Sequence, residues 1–392
     1  VSSLAAPPLA QLLGRPETQA LIANAQEQLV GGKRILITGA GGTIGAEVVR
    51  YVAAATPAKL GLLDVSEFNL YQIGREIQDE YPELEIEPIL CNIRDRSIVR
   101  NVVKQFAPDI VVHAAALKHV DIVEQTPREG ILTNIFGTAN VAEATAEAGA
   151  AIFVQVSTDK AVNPTSVMGL TKRVCELYVS ALDSRGAESE VHRTRFISVR
   201  FGNVIGSSGS VVPLFRQQIE RGGPVTVTHP DMERYFMTVR EAASLILQAA
   251  NDAMLNDRRR GRVFVLEMGK PVRILDLAKK LIASFQSSGD RPIEIVFTGL
   301  RPGERLSERL FSDDEQCFHT SHPGVLYAEP QASPAQESLD DLSILHDAAM
   351  RDDREAMVRL LRKIAFVHDA PEQHKRTPTV TNVLPLKTNR PR

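Results

Sequence analysis

The chain has 392 residues, a formal net charge of −3 and 43% hydrophobic residues, with three scattered cysteines, Cys91, Cys175 and Cys317. So small a charge gives no field that points to nucleic acid or acidic lipid as the main partner, and cysteines without ligand spacing speak against a disulfide scaffold and a structural metal. No apolar run reaches the roughly eighteen residues needed to span a bilayer, and the length allows one to three domains.

Residues 1–32 are rich in Ala, Pro and Gln and read as an amino-terminal arm; the chain opens Val-Ser-Ser, so an upstream segment is expected to be missing. The first strand is expected over Arg34–Thr38, and Gly39, Gly42 and Gly45 follow it at three-residue spacing before a helix over Gly45–Ala54. The first glycine permits a tight turn, the second lets backbone N–H groups approach a pyrophosphate, and the third lets helix pack on strand. A second strand, Lys59–Asp64, ends in an acid at the distance where a carboxylate accepts both ribose hydroxyls of an adenosine and repels a 2′-phosphate. The expected cofactor is therefore NAD rather than NADP.

Strands at Ile86–Leu90, Ile110–Ala114, Ile152–Ser157 and Phe196–Phe201 alternate with helices at Glu67–Glu80, Arg96–Phe106, Asn134–Ala148 and Ser166–Leu182. This alternation predicts an α/β fold, a doubly wound parallel Rossmann sheet, over residues 33–202. From 203 to 330, Gly, Ser and Pro break the rhythm, and a smaller mixed α/β substrate-binding region interleaved with the first is expected. Two amphipathic helices follow, Ala335–Ala348 and Asp352–Ile364, within a segment 331–367. Residues 368–392 carry no apolar periodicity and read as a disordered tail.

The strand Ile152–Ser157 runs into Thr158-Asp159-Lys160, and the next helix carries Met168 and, one turn later, Lys172. Groups at the carboxyl end of a central strand face the dinucleotide crevice. A lysine there can hold the nicotinamide ribose and lower neighbouring pKa values. The plain alternative is a Thr/Asp turn with a surface lysine.

Taken together, the glycine turn, Ala114-Ala-Ala-Leu-Lys118-His119, Asn134-Ile-Phe-Gly-Thr138 and Ser157–Pro164 resemble the extended short-chain dehydrogenase/reductases. Arg200-Phe-Gly-Asn-Val204, Tyr235-Phe-Met237 and Gly299–Glu304 narrow the resemblance to the CapD-like polysaccharide-biosynthesis proteins, NAD-dependent UDP-N-acetylhexosamine 4,6-dehydratases. Leu12-Leu-Gly-Arg15 is similar to the junction in long members with a membrane-embedded amino-terminal part. That implies a cytoplasmic domain attached to the membrane only through the missing region.

The resemblance implies a coenzyme site that adds Thr43, Ile44, Ser66, Asn92 and Ile93 to the glycines and Asp64. It further brings in Ala114, Ala115, Ala116, Lys118, Asn134, Lys172 and Phe201. For the UDP-sugar it implies Lys118, His119, Asn203, Ser210 and Val211, with Thr226, Val227 and Thr228 near the base and Arg234, Arg301 and Glu304 near the diphosphate and ribose. A homo-oligomer is expected by analogy. The implied reaction carries hydride from sugar C4 to C6, expels water and leaves a 4-keto-6-deoxy sugar. Lys160 is then the expected C5 base, Asp159 the C6 acid, and Thr158 a relay.

One departure stands out. Met168 occupies the position of the tyrosine of Tyr-x-x-x-Lys, and a thioether cannot exchange a proton. Asp159, acting through water, is the expected acceptor of the C4 hydroxyl proton. The substitution weighs against the alternative of a 4-epimerase and leans toward retained C5 configuration over a C5-inverting dehydratase. An intact Thr-Asp-Lys unit argues against a non-catalytic NAD-binding regulatory module.

Overall fold

The computed structural model describes residues 27–186, 194–207, 209–256, 260–285, 291–330 and 336–366. Most of the amino-terminal arm and the whole tail 368–392 therefore lie outside the described residues. The β-branched and leucine runs form β1 (Arg34–Thr38), β2 (Lys59–Asp64), β3 (Ile86–Leu90), β4 (Ile110–His113), β5 (Ile152–Val156) and β6 (Arg195–Arg200). Between them lie α1 (Thr43–Ala54), α2 (Glu67–Glu80), α3 (Arg96–Phe106), α4 (Gly137–Glu147) and α5 (Val167–Gly186). The later chain adds α6 (Val239–Leu255), β7 (Val263–Leu266), β8 (Glu315–His319), β9 (Val325–Pro330), α7 (Gln336–Met350) and α8 (Arg354–Ala365).

One nine-stranded sheet runs in the order β8-β9-β7-β6-β5-β4-β1-β2-β3. Pairing is parallel from β3 across to β7, while β9 and β8 close the edge as an antiparallel pair. Because side chains alternate along a strand, Ile35, Ile37, Leu60 and Leu62 face α1, α2 and α6, and Leu36, Leu63, Val111 and Phe153 face α3, α4 and α5. Both faces are thus covered, which explains why these strands read as continuous apolar runs. The winding reverses between β1 and β4, which pair Ile37 with Val112. A crevice opens at that switch point, at the carboxyl ends of the strands.

Three features differ from the sequence expectation. The helix expected from Asn134 starts earlier, at Pro127–Gly130, and passes through a π-helical stretch, Ile131–Phe136, before α4. Asn134 lies inside that stretch, where its amide clamps the backbone of Leu117 in both directions, at 2.7 and 3.0 Å. Helix α6 spans 17 residues and is buried on nearly every side. It lacks the polar face that would mark it in the sequence. Finally, β7, β8 and β9 join the main sheet, so part of the 203–330 region belongs to the same body.

The rest of that region forms a satellite. Short parallel strands Val225–Val227 and Ile295–Phe297 pack with helices Val211–Glu220 and Ile274–Phe285 around Phe215, Phe236 and Leu281. Helices α7 and α8 lie where two carboxyl-terminal helices were expected and close an apolar cluster over α5, joining Leu345, Met357 and Leu361 to Val123, Ile131, Met168 and Val174. Among the described residues, no helix is long and apolar enough to cross a membrane.

Candidate active site

At the glycine end, the backbone itself sets the geometry. Gly39 has φ +67°, and a Cβ there would lie 2.6 Å from the Ala115 nitrogen. A Cβ on Gly45 would lie 2.0 Å from the Gly39 oxygen, so helix and turn interlock only through glycines. Gly42 differs. It is the N-cap of α1 with no side-chain capping bond, and a Cβ on it would meet only the Gly39 oxygen, at 3.2 Å. Little therefore crowds Gly42, at the positive end of the α1 dipole, which suits the approach of a pyrophosphate.

Asp64 ends β2 with its carboxylate fixed by the N–H groups of Gly41 and Ser66, each at 2.9 Å. Each oxygen keeps a lone pair for a ribose hydroxyl. These residues fit a dinucleotide. Of the other sequence candidates for the coenzyme, Ser66 caps α2, Asn92 bonds the Arg94 nitrogen, and Ile93 and Phe201 are buried in the core. Any ligand contact from the last two runs through their backbone.

Beneath the crevice lies a residue that the sequence reading did not single out. His113 bridges the hydroxyls of Thr38 and Thr138, at 2.7 and 3.0 Å. Burial, helped by the Lys172 charge, pushes its pKa down to about 3, so the ring is a neutral strut.

The acid/base end is assembled by side chains. Strand β5 hands over to Ser157, whose hydroxyl donates to Glu176, and Asp159 is anchored by its N–H to the Phe201 oxygen at 2.9 Å. The Asp159 side chain is fully buried. Its Oδ1 accepts from Thr158 Oγ1 at 3.0 Å and from Lys160 Nζ at 2.9 Å. Its Oδ2 has no hydrogen-bond partner among the described residues, and a Cβ on Gly202 would sit 2.9 Å from it. Such an oxygen is costly to bury unless something arrives to meet it.

Lys160 also donates to Asn203 Oδ1 at 3.0 Å, so three of the sequence candidates meet at one amine. Lys172 is buried and donates to the Val156 oxygen at 2.7 Å; burial holds its pKa below the usual lysine range. Met168 is buried in the cluster closed by α7 and α8.

Toward the substrate end, Arg301 and Glu304 share a turn in which Glu304 accepts from the Arg301 nitrogen at 3.1 Å. Thr226 is held by Gln218, Thr228 bonds Met232, and Val227 is core. His119 is exposed and caps a short helix, Val120–Gln125, with its ring beside Gly209; Lys118 is exposed just before it. Ser210 is the N-cap of the helix that begins at Val211.

Arg234 does something the sequence did not suggest. Its guanidinium is buried and donates to the backbone oxygens of Glu233, Arg305 and Leu306. In this conformation it pins the 301–308 segment, with its Nη2 3.8 Å from Glu304 Oε1.

A second buried unit was also missed. Arg200, without exposed surface, forks onto Glu176 and Glu315 at 2.7–3.0 Å, with Arg173 flanking both acids. Burial alone would raise the Glu315 pKa, but the Arg200 charge and hydrogen bonds bring it to about 2. The network fastens β8 to α5 and, through Ser157, to the start of the Thr158–Lys160 turn.

The nine-stranded sheet with its switch-point crevice is the doubly wound α/β fold of solved nucleotide-sugar dehydratases and epimerases. The solved structure of Pen from Bacillus thuringiensis is similar, with a TM-score of 0.68, 32% identity, and 77% of this chain and 90% of that one covered. Residues 35–330 match the polysaccharide biosynthesis protein family, and the chain belongs to that family.

Among curated relatives, the capsular polysaccharide biosynthesis protein CapD of Staphylococcus aureus is 46% identical over 317 residues, covering 81% of this chain and 50% of the relative. The chain thus spans about half of that protein's length. An inverting UDP-N-acetylglucosamine 4,6-dehydratase of Campylobacter jejuni is 30% identical and a UDP-glucose 4-epimerase of Rickettsia canadensis 32% identical. Each match covers 73% of this chain and about 80% of the relative.

Proposed function

We propose that the chain is the catalytic portion of an NAD-dependent 4,6-dehydratase that acts on a UDP-N-acetylhexosamine, first of all UDP-N-acetylglucosamine, in surface-polysaccharide assembly. The observation that carries this reading is the contact of Lys160 Nζ with a fully buried Asp159 whose second oxygen is unpartnered, at a strand end beside the crevice. An elimination needs a base at C5 and an acid at C6 on one sugar ring, and this pair offers both.

Gly42, the first turn of α1 and Asp64 would hold the coenzyme, which when bound supplies the hydride acceptor at C4 and the donor at C6. Asp159, entering as a carboxylate, takes the 4-hydroxyl proton through Thr158 or a water, because Met168 can take none. The same proton then leaves with the C6 oxygen as water. The proton count of Asp159 closes within one turnover. Lys160, as the free amine, removes the C5 hydrogen, and its ammonium, whose protons exchange with solvent, returns a proton to the same face, so C5 keeps its configuration.

An epimerase would need a proton-exchanging group where Met168 stands and has no use for a C5 base. Incubating the protein with NAD and UDP-N-acetylglucosamine should give a product lighter by one water in mass spectrometry. An unchanged mass with inversion at C4 would instead support the epimerase.

A further inference from the structure

The segment after Glu304 reaches the acid/base turn, and nothing in its sequence spacing announces this. Three backbone anchors hold it there. Arg234 donates to the oxygens of Arg305 and Leu306, Arg305 donates to those of Val162 and Asn163, and the Thr165 hydroxyl donates to that of Gly303. The result is a buried carboxylate, Glu308, with Oε1 3.8 Å from Lys160 Nζ and a side chain 6% exposed. That spacing is an ion pair, closed to a hydrogen bond by a small rotation or one water.

Two buried carboxylates therefore converge on a single amine. Burial is the main influence holding the Glu308 carboxyl above the ordinary range, and the Asp159 charge adds to it. Lys160 from the Thr158–Lys160 turn, Arg234 from the strand Glu233–Arg234 and Arg305 from its own segment oppose that rise. One ammonium does not neutralise two acids, so the trio is built to hold a mobile proton.

Resting on the dehydratase reading, we infer that Glu308 is the positioning residue that stores the proton Lys160 must shed before its nitrogen can take the sugar's C5 hydrogen. An Nζ–H bond breaks and an Oε–H bond forms, with the lone pair left on nitrogen. Lys160 then gains the C5 hydrogen, and one of its solvent-exchangeable ammonium protons goes to C5 when that carbon is reprotonated. Glu308 returns the stored proton as product leaves, and no outside donor or acceptor enters. Because the transfer is internal, its equilibrium does not depend on bulk pH.

The test is the pH dependence of kcat and of C5 hydrogen exchange in deuterium oxide, for wild type, Glu308→Gln and Glu308→Asp. Wild type should show a flat profile through the neutral range. Glu308→Gln should fall about ten- to a hundredfold near neutrality with KM little changed. Its activity should then climb with pH, approaching about tenfold per unit, because Lys160 can discharge only to solvent. Glu308→Asp should restore part of the flat profile.

A Glu308→Gln profile parallel to wild type, lowered equally at every pH or not at all, would overturn the inference. If wild type itself releases no water from the nucleotide sugar, the dehydratase reading fails, and the two failures are told apart. Matching melting curves for the variants exclude a folding defect as the cause of a lowered rate. If Glu308→Gln does not fold, an unrestored Glu308→Asp profile overturns the inference by itself.

Discussion

At the glycine end of the crevice, the turn between β1 and α1 packs on that helix and on the segment after β4 with almost no side chain between them, and glycines at 39 and 45 let backbone touch backbone. At the other end, Thr158–Lys160, Asn203 and Glu308 come from separate parts of the chain and are joined by hydrogen bonds and charge. The first construction is packed and has little response to pH. The second holds several ionisable groups in a partly dry space, where proton positions shift readily. Under the proposed function, a nucleotide platform and a proton-moving centre ask different things of one sheet, and they should fail in different ways.

The sharpest separation comes from Lys160→Met, which keeps the length of the side chain and removes the base. Turnover should fall by about a thousandfold while enzyme-bound coenzyme is still reduced on adding substrate, read as absorbance of the reduced nicotinamide. Loss of reduction as well would mean that the lysine also serves the C4 step.

Gly45→Ala attacks the opposite end. A Cβ 2.0 Å from the Gly39 oxygen must push α1 off the turn, with an expected loss of about 3 kcal/mol in chemical denaturation. A stability equal to wild type would break the claim that this end is held by backbone contact.

Acid should loosen the acid/base side through its support. The folded-state pKa of Glu315 is depressed to about 2, against roughly 4.3 for an unfolded glutamate. Its contribution is complete above the unfolded value and drains away as pH falls toward about 2, on the order of 2–3 kcal/mol in all. Glu315→Gln should be less stable near neutrality and should lose less stability on acidification. An unchanged acid response in that variant would remove Glu315 from the account.

The smallest expected effect is that of Gly42→Ala. Its Cβ would meet a single atom, the Gly39 oxygen at 3.2 Å, a slightly tight contact, so the melting temperature should change little while NAD binding, measured by calorimetry, weakens about tenfold. A lowered melting temperature with unaltered binding would reverse the roles given to Gly42 and Gly45.

How much of this was legible beforehand follows the same division. Strands β1, β2 and β3 begin and end where apolar period and turn residues place them, because each lies next to its sequence neighbours. The glycine turn and Asp64 were readable for that reason. The Thr158–Lys160 turn was readable from its position at a strand end and from family resemblance. Beyond residue 202, two-residue strands such as Asn203–Val204 and Phe236–Met237 exist only through their pairing, and no local period can announce them.

Arg234 shows the limit most plainly. An arginine beside an aromatic residue suggests a phosphate ligand, yet its partners include backbone oxygens about seventy residues away. Glu308 was invisible for the same reason, since its place beside Lys160 depends on those anchors. The Arg200–Glu176–Glu315 network joins three elements whose charges look, along the chain, like ordinary polar positions.

The most direct measurement follows two labels at once, using UDP-N-acetylglucosamine carrying deuterium at C4 in ordinary water and the unlabelled sugar in deuterium oxide. NMR of the products should show the C4 label carried to C6 in the first case and one solvent deuterium at C5, with retained configuration, in the second. A label returned to C4 with inversion there, or no solvent hydrogen at C5, would contradict the assignment of Asp159 and Lys160 as an elimination pair.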